Sequence, residues 1–196
     1  MLFFIGVVFL LFFKVSFDEL KKYNYSFKVV FILSILLVYS FIRVADFKID
    51  AILYSCIIPV LVSISYIDLK VKEIPDKLIF IIYIYGLFLI VVNKNYINHN
   101  IFILNNLCSS FSLFSIYLVI AIITNGVGGG DIKLMGALGL FFNTSSIFKL
   151  LVYPVFLGVI MSVFLIVLKK AKLKDNFPLG PAISISACLI FLINYI

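Results

Sequence analysis

The sequence predicts an all-α protein, a polytopic bundle of about eight transmembrane segments. Three observations carry that expectation. Of the 196 residues, 64% are hydrophobic and 13% charged, whereas a soluble domain averages about half apolar and a quarter charged. The apolar residues come in blocks; residues 147–168 contain one charge, Lys149, near their start. A helix of about 20 such residues spans the hydrocarbon core. Finally, basic residues fall mainly in short segments between blocks, which is a topological pattern rather than a nucleic-acid surface.

In chain order the expected spans are 1–17, 28–45, 51–67, 78–92, 101–123, 132–142, 147–168 and 182–196. The first lacks a basic leader and a small-residue cleavage site, so it reads as a retained span and not a signal peptide. The segment 132–142 is the shortest. At about 1.5 Å per residue it covers only about half of a bilayer core. It either extends through Ser146 or forms a short helix buried in the bundle. With the N-terminus outside, four segments face the cytoplasm: 18–27, 68–77, 124–131 and 169–181. Twelve of the sixteen Lys and Arg residues then lie on that side, against Arg43, Lys48, Lys94 and Lys149 on the other. The same assignment puts Asp68 and Asp131 on the cytoplasmic face.

Cys56, Cys108 and Cys188 sit inside apolar blocks without CxxC spacing, which reads as small buried hydrophobes. The single histidine, His99, lies in an Asn-rich polar segment. No metal, cofactor or nucleic-acid partner is expected; the lipid bilayer is.

Two segments can carry chemistry. In YIDLKVKEIPDKL, residues 66–78, Asp68 ends an apolar run. An acid at a helix C-terminus opposes the macrodipole, so it brings no obvious structural benefit there. Pro75 favours an extended residue before it and a new helix after it. Asp76 and Glu73 read as solvated or capping. The second segment, TNGVGGGDIKLMGALG at 124–139, is more specific. Gly126, Gly128, Gly129 and Gly130 precede Asp131 at a helix start, and glycine permits positive φ and close backbone approach. An N-cap role would explain Asp131 and one glycine. It leaves the others unexplained in a chain rich in Ile, Leu and Phe. Acids near membrane depth are functional candidates. Two carboxylates on one face cannot both ionise easily. One could take a proton from water while the other polarises a carbonyl.

The residues resemble the type IV prepilin peptidases, membrane aspartyl peptidases with a GxGD motif. Gly128-Gly129-Gly130-Asp131 fits GxGD, and Ile132-Lys133-Leu134 continues it. Asp68 with Ile74-Pro75-Asp76 resembles the segment around the family's first catalytic aspartate. Phe177-Pro178-Leu179-Gly180-Pro181 resembles its proline-glycine-proline stretch. The resemblance covers residues 50–196, leaving 1–49 as two N-terminal transmembrane helices. It implies an aspartic endopeptidase that removes leaders from prepilin-like substrates, each a basic leader followed by a hydrophobic segment. Asp68 and Asp131 would be catalytic, supported by Gly128, Gly130, Lys133, Pro75, Gly180 and Pro181. Lys133 would orient Asp131, meet substrate, or snorkel at the membrane edge. Bifunctional relatives carry a large CxxC-bearing loop after the first span. Here that segment is DELKKYNYSF, without cysteine, so no N-methyltransferase activity is expected.

The alternative from another class is a small ion- or proton-coupled transporter using the two membrane-border aspartates. A third is an assembly protein that kept the fold without the activity. Presenilin-type peptidases share GxGD but pair it with a YD motif, whereas Ile67 precedes Asp68 here.

Overall fold

The computed structural model describes residues 2–23, 27–44, 46, 49–92, 99–124, 126–167 and 177–195. All regular structure among them is helical: α1 (Leu2–Lys22), α2 (Phe27–Val44), α3 (Ile49–Ser55), α4 (Ile58–Val71), α5 (Asp76–Val92), α6 (His99–Thr124), α7 (Gly129–Gly139), a single 3-10 turn at Thr144–Ser146, α8 (Ile147–Val167) and α9 (Gly180–Tyr195). Four stretches are long and apolar enough to cross a bilayer: Phe27–Val44, Ala51–Val71, Asn100–Thr124 and Thr144–Val167. Gly180–Asn194 is apolar but shorter.

The bundle is organised around α4. Ile58, Leu61, Ile64 and Ile67, spaced three residues apart, are fully or almost fully buried, and α1, α2 and α9 pack on this helix. A tight turn at Cys56 and Ile57 separates α3 from α4, with Pro59 in the first turn of α4. That turn keeps its backbone bonded, with Cys56 N–H donating to Leu53 O and Ile57 N–H to Tyr54 O. Unbonded backbone is not tolerated inside a membrane. The outer surface is greasy: Phe148, Phe156 and Phe164 of α8, and Phe111, Ile122 and Ile123 of α6, are all exposed. A surface this apolar is what lipid, not water, covers.

The short segment resolves in favour of a buried helix. At eleven residues α7 reaches about 16 Å. From Asp131 to Gly139 every residue but Lys133 is buried. Its glycines explain why it can sit so deep. A Cβ on Gly139 would stand 2.7 Å from the Ser110 backbone nitrogen, and one on Gly136 would strike Tyr83 and Phe114. The Ser110 hydroxyl donates to Gly136 O at 2.7 Å. Small residues and a cross-helix hydrogen bond are how membrane helices come this close.

Several boundaries shift from the sequence expectation. Residues 18–22 continue α1 instead of forming a loop, because Leu20 is buried and draws another turn into the packing. His99 opens α6. Cys108 is exposed on the outside of α6 rather than buried. The basic residues Lys48, Lys94, Lys169, Lys170, Lys172 and Lys174, used in the orientation count, lie outside the described residues.

Candidate active site

Three chain segments meet at one end of the bundle. They are the last turn of α4, the glycine loop entering α7, and the Phe177–Leu179 stretch entering α9. Between them is a cavity of about 210 Å³, lined by Asp68, Lys72, Gly126, Val127, Gly128, Asp131, Phe177, Pro178 and Leu179. Asp68 and Asp131, 63 positions apart in the sequence, thus face the same space. Both are buried, at 4% and 9% exposure. A buried carboxylate needs a partner, and each finds one in a backbone N–H.

For Asp68 the partner is remote. Its Oδ2 accepts a hydrogen bond from Gly180 N–H at 2.8 Å. Gly180 is the first residue of α9, so the carboxylate sits at a helix N-terminus, where free N–H groups and the macrodipole favour negative charge. The unfavourable place at the end of its own helix is offset by the start of another. Gly180 must lack a side chain, since a Cβ there would lie 2.7 Å from Asp68 Oδ2. Pro181, second in α9, has no N–H to offer and fits a first helical turn, whose donors have no intrahelical partner.

Asp131 is held locally. It is the third residue of α7, with Gly128 as N-cap. Its Oδ2 accepts from Gly128 N–H at 3.2 Å, the reach-back half of a capping box. Its Oδ1 is sealed from solvent without a protein hydrogen-bond partner. Burial, and next the charge of Asp68, push this carboxyl up to about 7, with the Gly128 hydrogen bond pulling the other way. The two acids therefore feel each other, as carboxylates sharing a proton do.

The glycines work by close approach. None of the described glycines has a positive φ, contrary to one of the two uses expected from the sequence. At Gly130 a Cβ would come 3.0 Å from Ile74 Cβ, so this glycine lets the Ile74-Pro75 segment lie against α7. Pro75 O then accepts from Ile79 N–H at the start of α5. At the site the left-handed backbone occurs instead at Lys72, φ 59°, where the Lys72 N–H closes α4 onto Asp68 O at 2.9 Å.

Lys133 does not reach Asp131. Its ammonium bonds Asp76 Oδ1 at 2.7 Å, and both side chains are well exposed. The acid at the head of α5 draws it outward, because charge pairing at the surface is available and burial of a lysine is not favourable. Lys72, on the cavity wall, was counted from the sequence only as a topological charge. The signal available for it was its place one helical turn after Asp68. Among the described residues, no three His, Cys, Asp or Glu side chains gather to hold a metal ion.

Residues 55–167 match the type IV leader peptidase family. The prepilin leader peptidase/N-methyltransferase of Aeromonas hydrophila is 26% identical over 135 residues, 68% of this chain and 46% of that protein. The protein of the same name from Neisseria gonorrhoeae is 27% identical over 136 residues, covering the same shares. The chain thus spans about half the length of the curated relatives it matches. No solved structure matches it significantly. With more than half of its length inside the family match, and with Asp68 and Asp131 both inside it, the chain belongs to the type IV leader peptidase family.

Proposed function

We propose that this protein is a membrane-embedded aspartic endopeptidase. It cleaves leader peptides from type IV prepilin-like precursors at the cytoplasmic membrane face. The observation that carries the reading is the convergence of two buried carboxylates, from α4 and α7, on one cavity at the end of the bundle.

The environments suggest the roles. Asp68, at the N-terminus of α9 with a 2.8 Å N–H bond, is the ionised partner. Asp131, raised by burial and by that charge, keeps the proton. In the forward step Asp68 takes a proton from water as the hydroxyl bonds to the scissile carbonyl carbon. Asp131 gives its proton to the carbonyl oxygen, forming a gem-diol. On collapse the C–N bond breaks, the amine leaves with the proton from Asp68, and Asp131 recovers one from the diol. The sum consumes one water and neither creates nor uses a cofactor.

The cytoplasmic placement is supported by the loop charges on the side of Asp68 and Asp131. The three acids buried among the described residues, Glu19, Asp68 and Asp131, all lie at this end, Glu19 through its ion pair with Lys77 in the first turn of α5. Such clustering suits a site at one membrane border better than a relay across the bilayer. The connection between α1 and α2 is only residues 23–26, which supports cleavage without N-methylation.

The test is co-expression with a prepilin bearing a basic leader. Asp68→Asn and Asp131→Asn are each expected to abolish cleavage at unchanged protein level. Substantial processing by either variant overturns the dyad. Mass spectrometry of the new N-terminus should find it unmethylated.

A further inference from the structure

Among the described residues, the Tyr117 hydroxyl is one of several buried polar atoms that, like Asp131 Oδ1, lack a protein hydrogen-bond partner. Buried polar groups are almost always paired, and leaving one unpaired is costly. Tyr117 lies on α6 and is 3% exposed.

The α6–α7 hairpin places the two orphans together. Its connection is only four residues, 125–128, so the helices run antiparallel. Ser110 of α6 meets Gly139 and Gly136 of α7, and Phe114, one turn on, meets Gly136. The next turn of α6 brings Tyr117, and the next turn back along α7 brings Ile132 and Asp131. The two side chains thus stand on facing turns of the hairpin, and no direct hydrogen bond joins them. Asn106 and Ser109, also unpartnered on α6, lie two turns or more farther from the site.

We propose that Tyr117 is a positioning residue for Asp131, its hydroxyl tied to the sealed oxygen Oδ1 through one bridging water. This rests on the aspartic-peptidase reading above. A buried water needs at least two polar partners, and these two atoms supply them. Oδ2 is already fixed by the Gly128 N–H. With Tyr117 behind Oδ1, both oxygens are held and the carboxyl plane cannot turn away from Asp68.

Tyr117→Phe keeps the ring and removes only the hydroxyl. In purified protein cleaving a synthetic peptide that spans a leader junction, kcat is expected to fall about tenfold or more, as misorientation of a reacting group does. KM should stay within about twofold. The melting temperature should change little, since the ring stays packed and only one water-mediated hydrogen bond is removed. Wild-type kcat in Tyr117→Phe, with Asp131→Asn inactive, overturns the inference and leaves the dyad standing. A fall in kcat accompanied by a lower melting temperature marks a packing role and also overturns it. Cleavage by Asp131→Asn overturns the reading beneath.

Discussion

Asp131 is positioned by its immediate neighbours, whereas Asp68 depends on a residue 112 positions away. At Asp131 the N-cap, the helix start and the acid fall within four consecutive residues. At Asp68 the local sequence supplies an unfavourable helix end, and α9 supplies the compensating Gly180 N–H. The first arrangement forms with one helical turn. The second exists only once the last helix has docked. The glycine of the 177–181 segment thus has a physical reason: it is the contact on which one of the two acids rests.

This contrast can be broken at its remote end first. Gly180→Ala puts a Cβ 2.7 Å from Asp68 Oδ2, so either the carboxylate or α9 must shift. Overpacking of this kind costs about 1–3 kcal/mol. If Asp68 acts as proposed, displacing it also slows cleavage, by about a hundredfold. Processing assays and thermal melting check both effects. Next, pH separates the two acids. With its carboxyl at about 7, Asp131 loses its proton as pH rises past neutrality, and kcat should fall about tenfold per unit above that point. Stability follows the same sign. The folded protein holds this proton more tightly than the unfolded chain, so the contribution is full below the ordinary carboxylate range and is lost as pH rises to about 7. Asp131→Asn should remove that slope in melting curves from pH 4 to 8. Smaller still is Gly130→Ala, whose Cβ would press on Ile74 at 3.0 Å. A few tenths of an ångström relieve it, so the expected loss is about 1 kcal/mol, with activity reduced several-fold. Smallest is Lys133→Gln, which breaks only an exposed ion pair. Surface pairs contribute little, and cleavage should stay within about twofold of wild type. A larger loss would mean that Lys133 meets substrate.

What the sequence revealed follows the same division. The helical membrane architecture was legible because it rests on composition and block length. The GGGD segment was legible because its parts are adjacent. The partner of Lys133 was not, since Asp76 lies 57 positions away and nothing local selects it over Asp131. Nor was the anchoring of Asp68, for the same reason. Glycine type announced a constraint, but not which one. Close approach at Gly130, Gly136 and Gly139 depends on Ile74, Tyr83 and Ser110 of other helices. Tyr117 left no signal at all: a tyrosine in an apolar helix looks like any other until its hydroxyl is found buried without a partner.

The glycine seam between α6 and α7 also sets which side of the cavity is tightly packed. With Gly139 against the Ser110 backbone and no clearance for even a methyl group, α7 is a fixed floor beneath the two acids. It has no slack to tilt or slide. The wall across the cavity is built differently, from the three non-helical residues Phe177, Pro178 and Leu179. Because Gly180 follows that wall directly and its N–H holds the Asp68 carboxylate, any change in the wall is felt at Asp68.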